Sequence, residues 1–315
     1  MKPAVHPFQT DDPRLHAIHE KVLAGQQLKL GDVTALFASK DILAIGWLAN
    51  YVRERMHGNA TQFRVDTIEA AQATQPVVGE ADGSEFLVLG GDVDRVCKAV
   101  TSLKKNRADV SISALTVEQL AGSGAKEAIS KLRDAGVSSL LGGGAEVFLP
   151  ALRKALWQSV STAEHRAEVR ALAAAAELKV PAYVIQRPGS PEEQAKELLS
   201  FREVQADAFA SISFDPDAST SPNLVVTTGM QEMKQIAIAR LALTQIPQIR
   251  AYWHMLGGKL VQIALRFGAS YLDGTSLEPS VTQAERAKEL AREIQVAGRE
   301  PHEIASSRRV VLAGN

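Results

Sequence analysis

From Gly58 onward the sequence alternates between short β-type runs and longer helical stretches, and this alternation constrains the fold more than any other feature. Before Gly58, residues 12–57 carry helical patterns and no strand signal. Alternating strands and helices are typical of βα units built around a parallel sheet. Eight runs qualify as strands: 62–66, 86–90, 109–114, 138–141, 182–186, 208–214, 248–253 and 269–273. The pattern predicts an α/β fold of the (β/α)8 TIM-barrel type, with functional groups on the loops that follow the strands.

Helical stretches with recognisable start and stop signals lie between most of these strands. They span 92–104, 116–135 with a break at 122–124, 162–178, 190–204, 231–245 and 256–267, and a charged helix follows at 282–297. We therefore expect a helical N-terminal segment (1–58), a barrel (59–280), and a C-terminal helix and tail packed on the barrel (281–315). Within that last part, 308–315 is predicted to be a tail or an edge segment.

Charge and cysteine content exclude several classes of function. The formal net charge is −1 and there is no long run of Lys or Arg, so neither a nucleic acid nor a membrane is an expected partner. No window reaches the 18 or so apolar residues of a spanning helix, and we expect a cytoplasmic protein that binds a small molecule. Cys97 is the single cysteine, expected to face the core, so a cluster held by three thiolates of this chain is excluded.

Three segments of the sequence carry a family resemblance. Residues 132–148 contain a helix, a strand and the triple glycine Gly142-Gly143-Gly144; the other two segments are 236–257 and 267–275. They resemble the aminofutalosine synthases, a group of radical S-adenosylmethionine enzymes of the futalosine route to menaquinone. Weaker similarity extends to both ends of the chain. The related dehypoxanthine futalosine cyclase shares the barrel, so the synthase-like and cyclase-like branches both stay open.

One departure from that family is plain. The family carries a Cys-x-x-x-Cys-x-x-Cys motif after the first barrel strand, where three thiolates hold an iron–sulfur cluster that chelates S-adenosylmethionine. Residues 66–76 occupy this place here and contain no cysteine. The interval 66–86 is also too short for a cluster loop and a full barrel helix of about 10 residues. We expect a deletion, no iron–sulfur cluster and none of the family's radical chemistry.

Two hypotheses about function follow from the resemblance. In the first, a cluster-free relative binds an aromatic carboxylate or a nucleoside of menaquinone metabolism, with S-adenosylmethionine as a candidate ligand bound without cleavage. In the second, the chain is a pseudoenzyme that pairs with a cluster-bearing homologue of the synthase or cyclase. The sequence leaves open whether the chain turns over any substrate, because the resemblance implies a transferase while the cluster chemistry is missing.

The triple glycine is the first candidate ligand site. Backbone amides of Gly142, Gly143 and Gly144 could face a carboxylate or a ribose without side chains in the way. The alternative is a tight strand-to-helix turn, but three successive glycines exceed what a turn requires. Glu146, beside them, is a candidate for a ribose or amine contact, against the alternative of a charge placed at a helix N-terminus.

Other candidates follow further strands. Gly90 and Gly91 end the second strand, where the family's glycine-rich segment contacts the methionine amino group of S-adenosylmethionine; the alternative is a turn capped by Asp92. Arg187 ends the fifth strand and could clamp a carboxylate, or be a surface arginine. Asp215 follows the sixth strand and is a ligand candidate or a turn former.

Two candidates remain near the last strands. His254 follows the seventh strand and could protonate or hydrogen-bond a ligand, although a lone histidine is more often structural. Asp273 ends the eighth strand, and the family match favours a ligand contact over a turn residue before Gly274. No metal site is expected, because the acidic residues lack histidine or cysteine neighbours in a ligand spacing.

Overall fold

The computed structural model describes residues 7–70, 85–159, 161–213, 228–275, 281–306 and 308–313. Within these ranges, no helix is long and apolar enough to cross a membrane. The helices are α1 (Pro13–Leu23), α2 (Leu30–Ala38), α3 (Ile42–His57), α4 (Val93–Asn106), α5 (Val117–Leu120), α6 (Ala125–Ala135), α7 (Pro150–Gln158), α8 (Ala163–Ala175), α9 (Pro191–Leu199), α10 (Gly229–Ala242), α11 (Trp253–Ala264) and α12 (Gln283–Val296).

The helix starts follow from side chains that satisfy the free backbone amides of the first turn. Asp12 precedes α1 and accepts a hydrogen bond from the Arg14 amide. Ser190 and Glu193 form a reciprocal capping box at α9. These start signals are readable in the sequence, which is why most predicted helices are present. The helix α7, which had no such signal in the sequence reading, was not predicted.

The strands are β1 (Ala60–Arg64), β2 (Thr67–Ala70), β3 (Glu85–Leu89), β4 (Ser111–Thr116), β5 (Ser139–Leu141), β6 (Ala182–Ile185), β7 (Ala208–Ile212), β8 (Gln248–Tyr252), β9 (Tyr271–Asp273), β10 (Glu300–Glu303) and β11 (Arg308–Ala313). Each of the eight predicted strands has a counterpart, with bounds shifted by a few residues. The strands β2, β10 and β11 were not predicted.

These strands form two parallel sheets. The first has six strands in the order β10-β1-β9-β8-β7-β6, and the second has five in the order β2-β11-β3-β4-β5. An isolated parallel bridge between Ser139 and Lys179 links the edge of the second sheet to the residues just before β6. The described residues therefore show a mixed α/β fold with parallel sheets; a closed eight-stranded barrel stays a prediction.

Apolar side chains from both sheets meet in one cluster, here called the inner cluster. It contains Leu87 of β3, Leu141 of β5, Tyr183 and Ile185 of β6, and Tyr252 of β8, among others. Side chains of α7 pack into the same cluster. Because strands of both sheets contribute to it, the two sheets share one inner face, on which α7 also packs, while other helices pack on the opposite faces of the sheets.

Two buried arginines tie helices to strand ends. Arg240 of α10 is fully buried and donates hydrogen bonds to the Gly268 and Pro247 carbonyls, at 3.0 Å each, and to Ser270 Oγ at 2.7 Å. Arg53 of α3 donates to the Gly58 carbonyl at 2.7 Å and to Thr61 Oγ1 at 2.7 Å. Both guanidinium groups therefore satisfy acceptors next to the strands β1, β8 and β9, which would otherwise lack partners in the interior.

The structure corrects the prediction that residues 308–315 form a tail or an edge segment. Its described part forms β11, which lies between β2 and β3 and pairs in parallel with both. The strand is therefore internal to the sheet, and is neither a tail nor an edge. A charged residue can be buried there because Arg309 meets three carboxylates, a tertiary arrangement that the local sequence does not reveal.

Candidate ligand site on the inner face

Three polar residues lie side by side where neighbouring strands end. Arg64 of β1 is in register with Asp273 of β9, and Asp273 is in register with Tyr252 of β8. Each is the last residue of its strand. Sites of parallel α/β proteins lie at the carboxyl ends of strands, so this row occupies the expected end of the sheet.

Arg250 lies two residues before Tyr252 on β8, so the two side chains share one face of the sheet. The guanidinium of Arg250 sits 4.8 Å from the ring centroid of Tyr271, its register partner, and Arg250 Nη1 is 3.9 Å from Asp273 Oδ2. Burial acts to lower the pKa of Arg250, but Tyr252, Tyr271 and Asp273 together hold it above the usual value. The arginine therefore remains charged on the inner face.

The carboxylate of Asp273 is held from one side only. Its Oδ1 accepts hydrogen bonds from the Thr275 amide at 3.1 Å and from Thr275 Oγ1 at 2.6 Å. Its Oδ2 is buried and has no hydrogen-bond partner among the described residues. One oxygen is thus fixed by hydrogen bonds, and the other, which lies 3.9 Å from Arg250 Nη1, can still accept a hydrogen bond.

Tyr252 and Arg250 also carry unused hydrogen-bonding atoms. Tyr252 Oη and Arg250 Nε and Nη1 are buried and, within the described ranges, lack hydrogen-bond partners. Burial raises the pKa of Tyr252, so its hydroxyl stays protonated and able to donate. Buried polar atoms in native proteins are nearly always paired. Together with Asp273, these residues, here called the polar trio, can bind polar atoms of a small molecule.

Of the polar trio, Arg250 lines a cavity, whereas Tyr252 and Asp273 do not. A cleft of about 650 Å³ is lined by Arg250 together with Gly143, Lys179, Pro181 and Asp207, among others. Its volume lies within the range of about 300–1,000 Å³ typical of small-molecule sites. The cleft therefore brings one predicted ligand residue, Gly143, to the same space as Arg250.

In the glycine loop, Gly142–Gly144, two backbone amides are occupied by the side chain of the nearby residue Glu146. The Gly142 and Gly144 amides donate hydrogen bonds to Glu146 Oε1, at 3.1 and 2.9 Å. Glu146 Oε2 accepts a hydrogen bond from Arg309 Nη1 at 2.7 Å. In this conformation the two amides serve an internal carboxylate, and the predicted contacts of these residues with a ligand remain predictions.

Close packing explains why glycine is needed at positions 142 and 143, and this packing could not be predicted from the sequence. Gly142 has φ of +114°, a left-handed region that favours glycine, and a Cβ there would overlap the Tyr183 ring. A Cβ at Gly143 would come within 2.9 Å of the Pro181 side chain. The expectation that three glycines exceed structural need is therefore corrected, because the close approach of neighbouring side chains requires them.

Comparison with known proteins gives this site its context. No protein-family model matches the chain. The chain is 29% identical to aminodeoxyfutalosine synthase of Thermus thermophilus over 93% of its own length and 94% of the relative's. It is 26% identical to aminodeoxyfutalosine synthase of Streptomyces coelicolor over 84% and 83% of the two chains. The chain is a homologue of the aminodeoxyfutalosine synthases.

Further similarities of this aminodeoxyfutalosine synthase homologue are more distant. A 5-amino-6-(D-ribitylamino)uracil–L-tyrosine 4-hydroxyphenyl transferase of Methanosarcina acetivorans is 27% identical over 65% of this chain and 60% of its own. The structure of methylornithine synthase superposes with a TM-score of 0.58 at 16% identity, covering 90% of this chain and 97% of that one. The FeFe-hydrogenase maturase of Carboxydothermus hydrogenoformans gives 0.61 at 11%, covering 91% and 79%. These two structures support the fold alone.

The residues of this homologue do not fit an iron–sulfur cluster. Its 315 residues contain one cysteine, Cys97, which is half-buried on α4. Residues Thr67–Ala70, in the place expected for a cluster loop, form β2 and pair with β11. Over the described ranges, no group of three His, Cys, Asp or Glu side chains could hold a metal. We therefore derive no chemistry through such a cluster.

Four further candidate residues, Gly90, Gly91, His254 and Asp215, are not part of the polar trio. Gly90 and Gly91 are exposed after β3 with φ of +79° and +80°, and Asp92 caps α4 by accepting from the Arg95 amide. His254 is exposed in the first turn of α11, with its ring 5.1 Å from that of Phe148. Asp215 lies outside the described residues. The ligand contacts predicted for these residues remain predictions.

Arg187 supports a helix end. Its Nη2 donates to the Leu156 carbonyl at 2.9 Å and its Nη1 to the Ser159 carbonyl at 3.2 Å, both at the C-terminal end of α7. Burial lowers the pKa of Arg187. The residue also lines a separate cavity of about 430 Å³, with Gln186 and Lys234 among others.

We expect Arg187→Met to act on stability. Loss of two hydrogen bonds from a charged donor should lower the free energy of unfolding by about 1–3 kcal/mol, measured by urea denaturation. The exposed Lys126→Met is the control and should change it by less than about 0.5 kcal/mol. Unchanged stability together with a lost response to ligand would instead place Arg187 in a binding site.

The sequence did not lead us to predict Arg250, Tyr252 or Arg309 as site residues. Arg250 and Tyr252 are two residues apart on one strand, so their side chains share a face. That spacing was a usable signal, but only His254 was selected from this segment. No local signal identified Arg309, since its burial depends on carboxylates from three distant parts of the chain.

Proposed function

We propose that this chain is a cluster-free, cytoplasmic relative of the aminodeoxyfutalosine synthases that binds a small ligand of menaquinone metabolism. The ligand is a nucleoside or an aromatic carboxylate, held on the inner face of a barrel closed by the two sheets. The observation that carries the proposal is the polar trio, whose buried donor and acceptor atoms lack hydrogen-bond partners among the described residues, with Arg250 Nη1 and Asp273 Oδ2 only 3.9 Å apart as an ion pair. The fold class and the relatives support the ligand class but do not select between its members.

The chemistry of the trio fits a ligand with both donors and acceptors. Asp273 Oδ2 accepts, the Arg250 guanidinium donates, and Tyr252 Oη can do either. A buried polar group without a hydrogen bond costs about 1–3 kcal/mol, and the ion pair between Arg250 and Asp273 offsets part of this cost for those two residues. A ligand that satisfies them regains this free energy on binding, and a ligand that lacks polar edges does not. Such a site discriminates by hydrogen bonding, not by shape alone.

The experiment is a thermal-shift panel on the full chain. The compounds are aminofutalosine, a carboxyvinyloxybenzoate, S-adenosylmethionine and methylthioadenosine. One of them, at about 100 times its Kd, should stabilise the protein by about 2.7 kcal/mol, because it binds only the folded state. For a chain of this size that is a rise in Tm of several degrees.

Tyr252→Phe is the diagnostic variant, because it removes only the hydroxyl group. Without ligand its stability should equal or exceed that of the wild type, since an unpaired buried hydroxyl is lost. With the stabilising ligand its affinity should fall by about 10-fold. Tyr51→Phe on α3, far from the trio along the chain and on the helical N-terminal segment, is the matched control. An equal ligand response in the two variants would contradict the proposed site.

One observation favours the partner hypothesis. Four large apolar side chains of the N-terminal helices and their ends are exposed: Leu23 (41%), Leu30 (38%), Leu43 (73%) and Met56 (37%). Exposed apolar surface is typical of sites that bind another protein. If no compound of the panel shifts Tm and the chain co-purifies with a cluster-bearing homologue, we would adopt the partner function in place of ligand binding.

A further inference from the structure

The cleft that Arg250 lines opens at the amino-terminal ends of three strands. Its volume is about 650 Å³, and its walls include Ser139 at the start of β5, residues 179–182 at the start of β6, and residues 204–208 at the start of β7. Ligand sites of parallel α/β proteins usually lie at the carboxyl ends of strands. This cleft therefore approaches the inner face from the end opposite to the row of polar residues described above.

A gap between the two sheets gives the cleft its depth. β5 and β6 are edge strands of their sheets, and an isolated bridge between Ser139 and Lys179 links them, with no longer ladder in the described part of the chain. Small side chains, such as those of Pro181 and Ala182, line the wall beside this gap. The cleft therefore reaches inward as far as Arg250 on β8.

Cations outnumber anions among the charged side chains that line the cleft. The cations are Arg250, Lys179 and Arg202, and the anion is Asp207. Arg202 is fixed in place, because its Nε and Nη2 donate to the Ala242 carbonyl at 3.1 and 3.0 Å. Lys179 and Asp207 are exposed at the rim. Positive charge along a cleft attracts anionic ligands and raises their local concentration.

One edge of the Arg250 guanidinium is suited to bind an oxyanion. Its Nη1 lies 3.9 Å from Asp273 Oδ2, and its Cζ lies 4.8 Å from the ring centroid of Tyr271, so both contacts restrict its orientation. The side edge is formed by Nε and Nη2, and Nε is buried without a hydrogen-bond partner among the described residues. Two parallel donors on one guanidinium edge match two oxygens of a carboxylate or a phosphate.

We propose that this cleft is a second ligand site, which binds the oxyanion group of a small metabolite that enters at the amino-terminal ends of the strands. Arg250 is the anchor for the oxyanion, Lys179 attracts it at the rim, and Asp207 opposes it. The ligand is a phosphate monoester or a carboxylate, because both present two oxygens to a guanidinium edge. The site goes beyond the function proposed for the polar trio, since it shares Arg250 with the trio but needs neither Tyr252 nor Asp273.

The test is isothermal titration calorimetry of the full chain at constant ionic strength. The probes are phenyl phosphate, benzoate and neutral benzamide, which carry the same ring and differ in the group attached to it. At least one of the two anions should bind, and benzamide should not. Tighter binding of phenyl phosphate would identify a phosphate monoester site, and tighter binding of benzoate a carboxylate site. Binding of benzamide as tight as that of the anions, or binding of neither anion, would overturn the proposal.

Two rim variants should change the affinity for the anion in opposite directions. Lys179→Gln should weaken binding about 3-fold and Asp207→Asn should tighten it about 3-fold, because each alters one exposed charge beside the bound anion. Both positions are exposed, so folding should be unaffected. Lys98→Gln, at an exposed position of α4 that does not line the cleft, is the control and should match the wild type. Equal affinities in the wild type and both rim variants, or an equal loss in Lys98→Gln, would contradict the site.

Arg250→Met should weaken anion binding by about 10-fold or more, because hydrogen bonds from a charged donor are lost. The rim variants decide the question if Arg250→Met folds poorly. Weaker binding in Tyr252→Phe with no change in Lys179→Gln would place the anion at the polar trio and overturn the cleft site. If the anion binds with the expected pattern while no compound of the thermal-shift panel stabilises the wild type, the cleft site stands and the function proposed for the polar trio fails.

Discussion

Replacement of Arg240 by methionine is expected to lower the free energy of unfolding by about 3 kcal/mol. The guanidinium is fully buried and donates to the Gly268 and Pro247 carbonyls, to Ser270 Oγ and to Met56 Sδ. Methionine has a similar length but no donor. It therefore leaves backbone acceptors buried without their partner, at about 1 kcal/mol or more for each. Chemical denaturation with a two-state analysis measures the loss.

A competing effect determines how large this loss is. Arg240 has no carboxylate partner among the described residues, and burial, together with the charge of Arg53, lowers its pKa. Removal of a buried charge recovers part of the cost of desolvation, which opposes the loss of hydrogen bonds. His57 also contacts the Pro247 carbonyl, at 2.8 Å, so that acceptor keeps one candidate partner. These two compensations keep our expectation near the lower end of the range for buried polar networks.

Arg133→Met is the matched control for Arg240→Met. Arg133 lies on α6 with 51% of its side chain exposed and, among the described residues, pairs with its neighbour Asp134. Exposed ion pairs contribute about 0–1 kcal/mol, so this variant should be nearly neutral. If Arg240→Met were no more destabilising than Arg133→Met, the hydrogen bonds of Arg240 would not be what joins α10 to the strand ends.

The sequence predicted the order of strands and helices well, for a physical reason. Strand and helix signals here are local: β-type runs such as Ala182–Ile185 are flanked by turn residues, and Ser190 and Glu193 mark a helix start within four residues. The placement of β11 could not be read this way. Its position depends on Arg309 meeting carboxylates that are more than 160 residues away along the chain, as Glu146 is.

The same distinction, between local sequence signals and contacts made only in the folded chain, applies to the candidate site. Asp273 was predicted from its position at a strand end, and it lies in the polar trio. Arg250 and Tyr252 share its neighbourhood through strand register, which the sequence does not give directly. The glycine loop was selected correctly as unusual, but its reason was misjudged. A Cβ at Gly142 would overlap Tyr183, and one at Gly144 would overlap Glu146 and Arg309; of these neighbours, Tyr183 and Arg309 are distant in sequence.

The purified protein is expected to bind no iron–sulfur cluster, even after anaerobic incubation with iron and sulfide. A cluster of the family's kind needs at least three thiolates, and this chain offers Cys97 alone. Two chains that shared one cluster would still supply only two. Cys97 is also poorly suited, because burial raises the pKa of its thiol and disfavours the thiolate that iron binds.

Iron and sulfide analysis after desalting measures this directly, with absorbance near about 400 nm as a marker of thiolate-to-iron charge transfer. Wild type and Cys97→Ser should give the same result, well below one iron per chain, while a cluster-binding relative treated in parallel should retain iron.

About four irons per chain in the wild type would contradict the expectation. In that case ligands other than cysteine would have to hold the iron, and residues 66–76, in the place of the family's motif, contain neither cysteine nor histidine. A ligand set of carboxylates and amides does not match the soft sulfur ligands of such clusters. The ligand-binding function proposed for the polar trio does not require iron, so its panel can be run on the same iron-free protein.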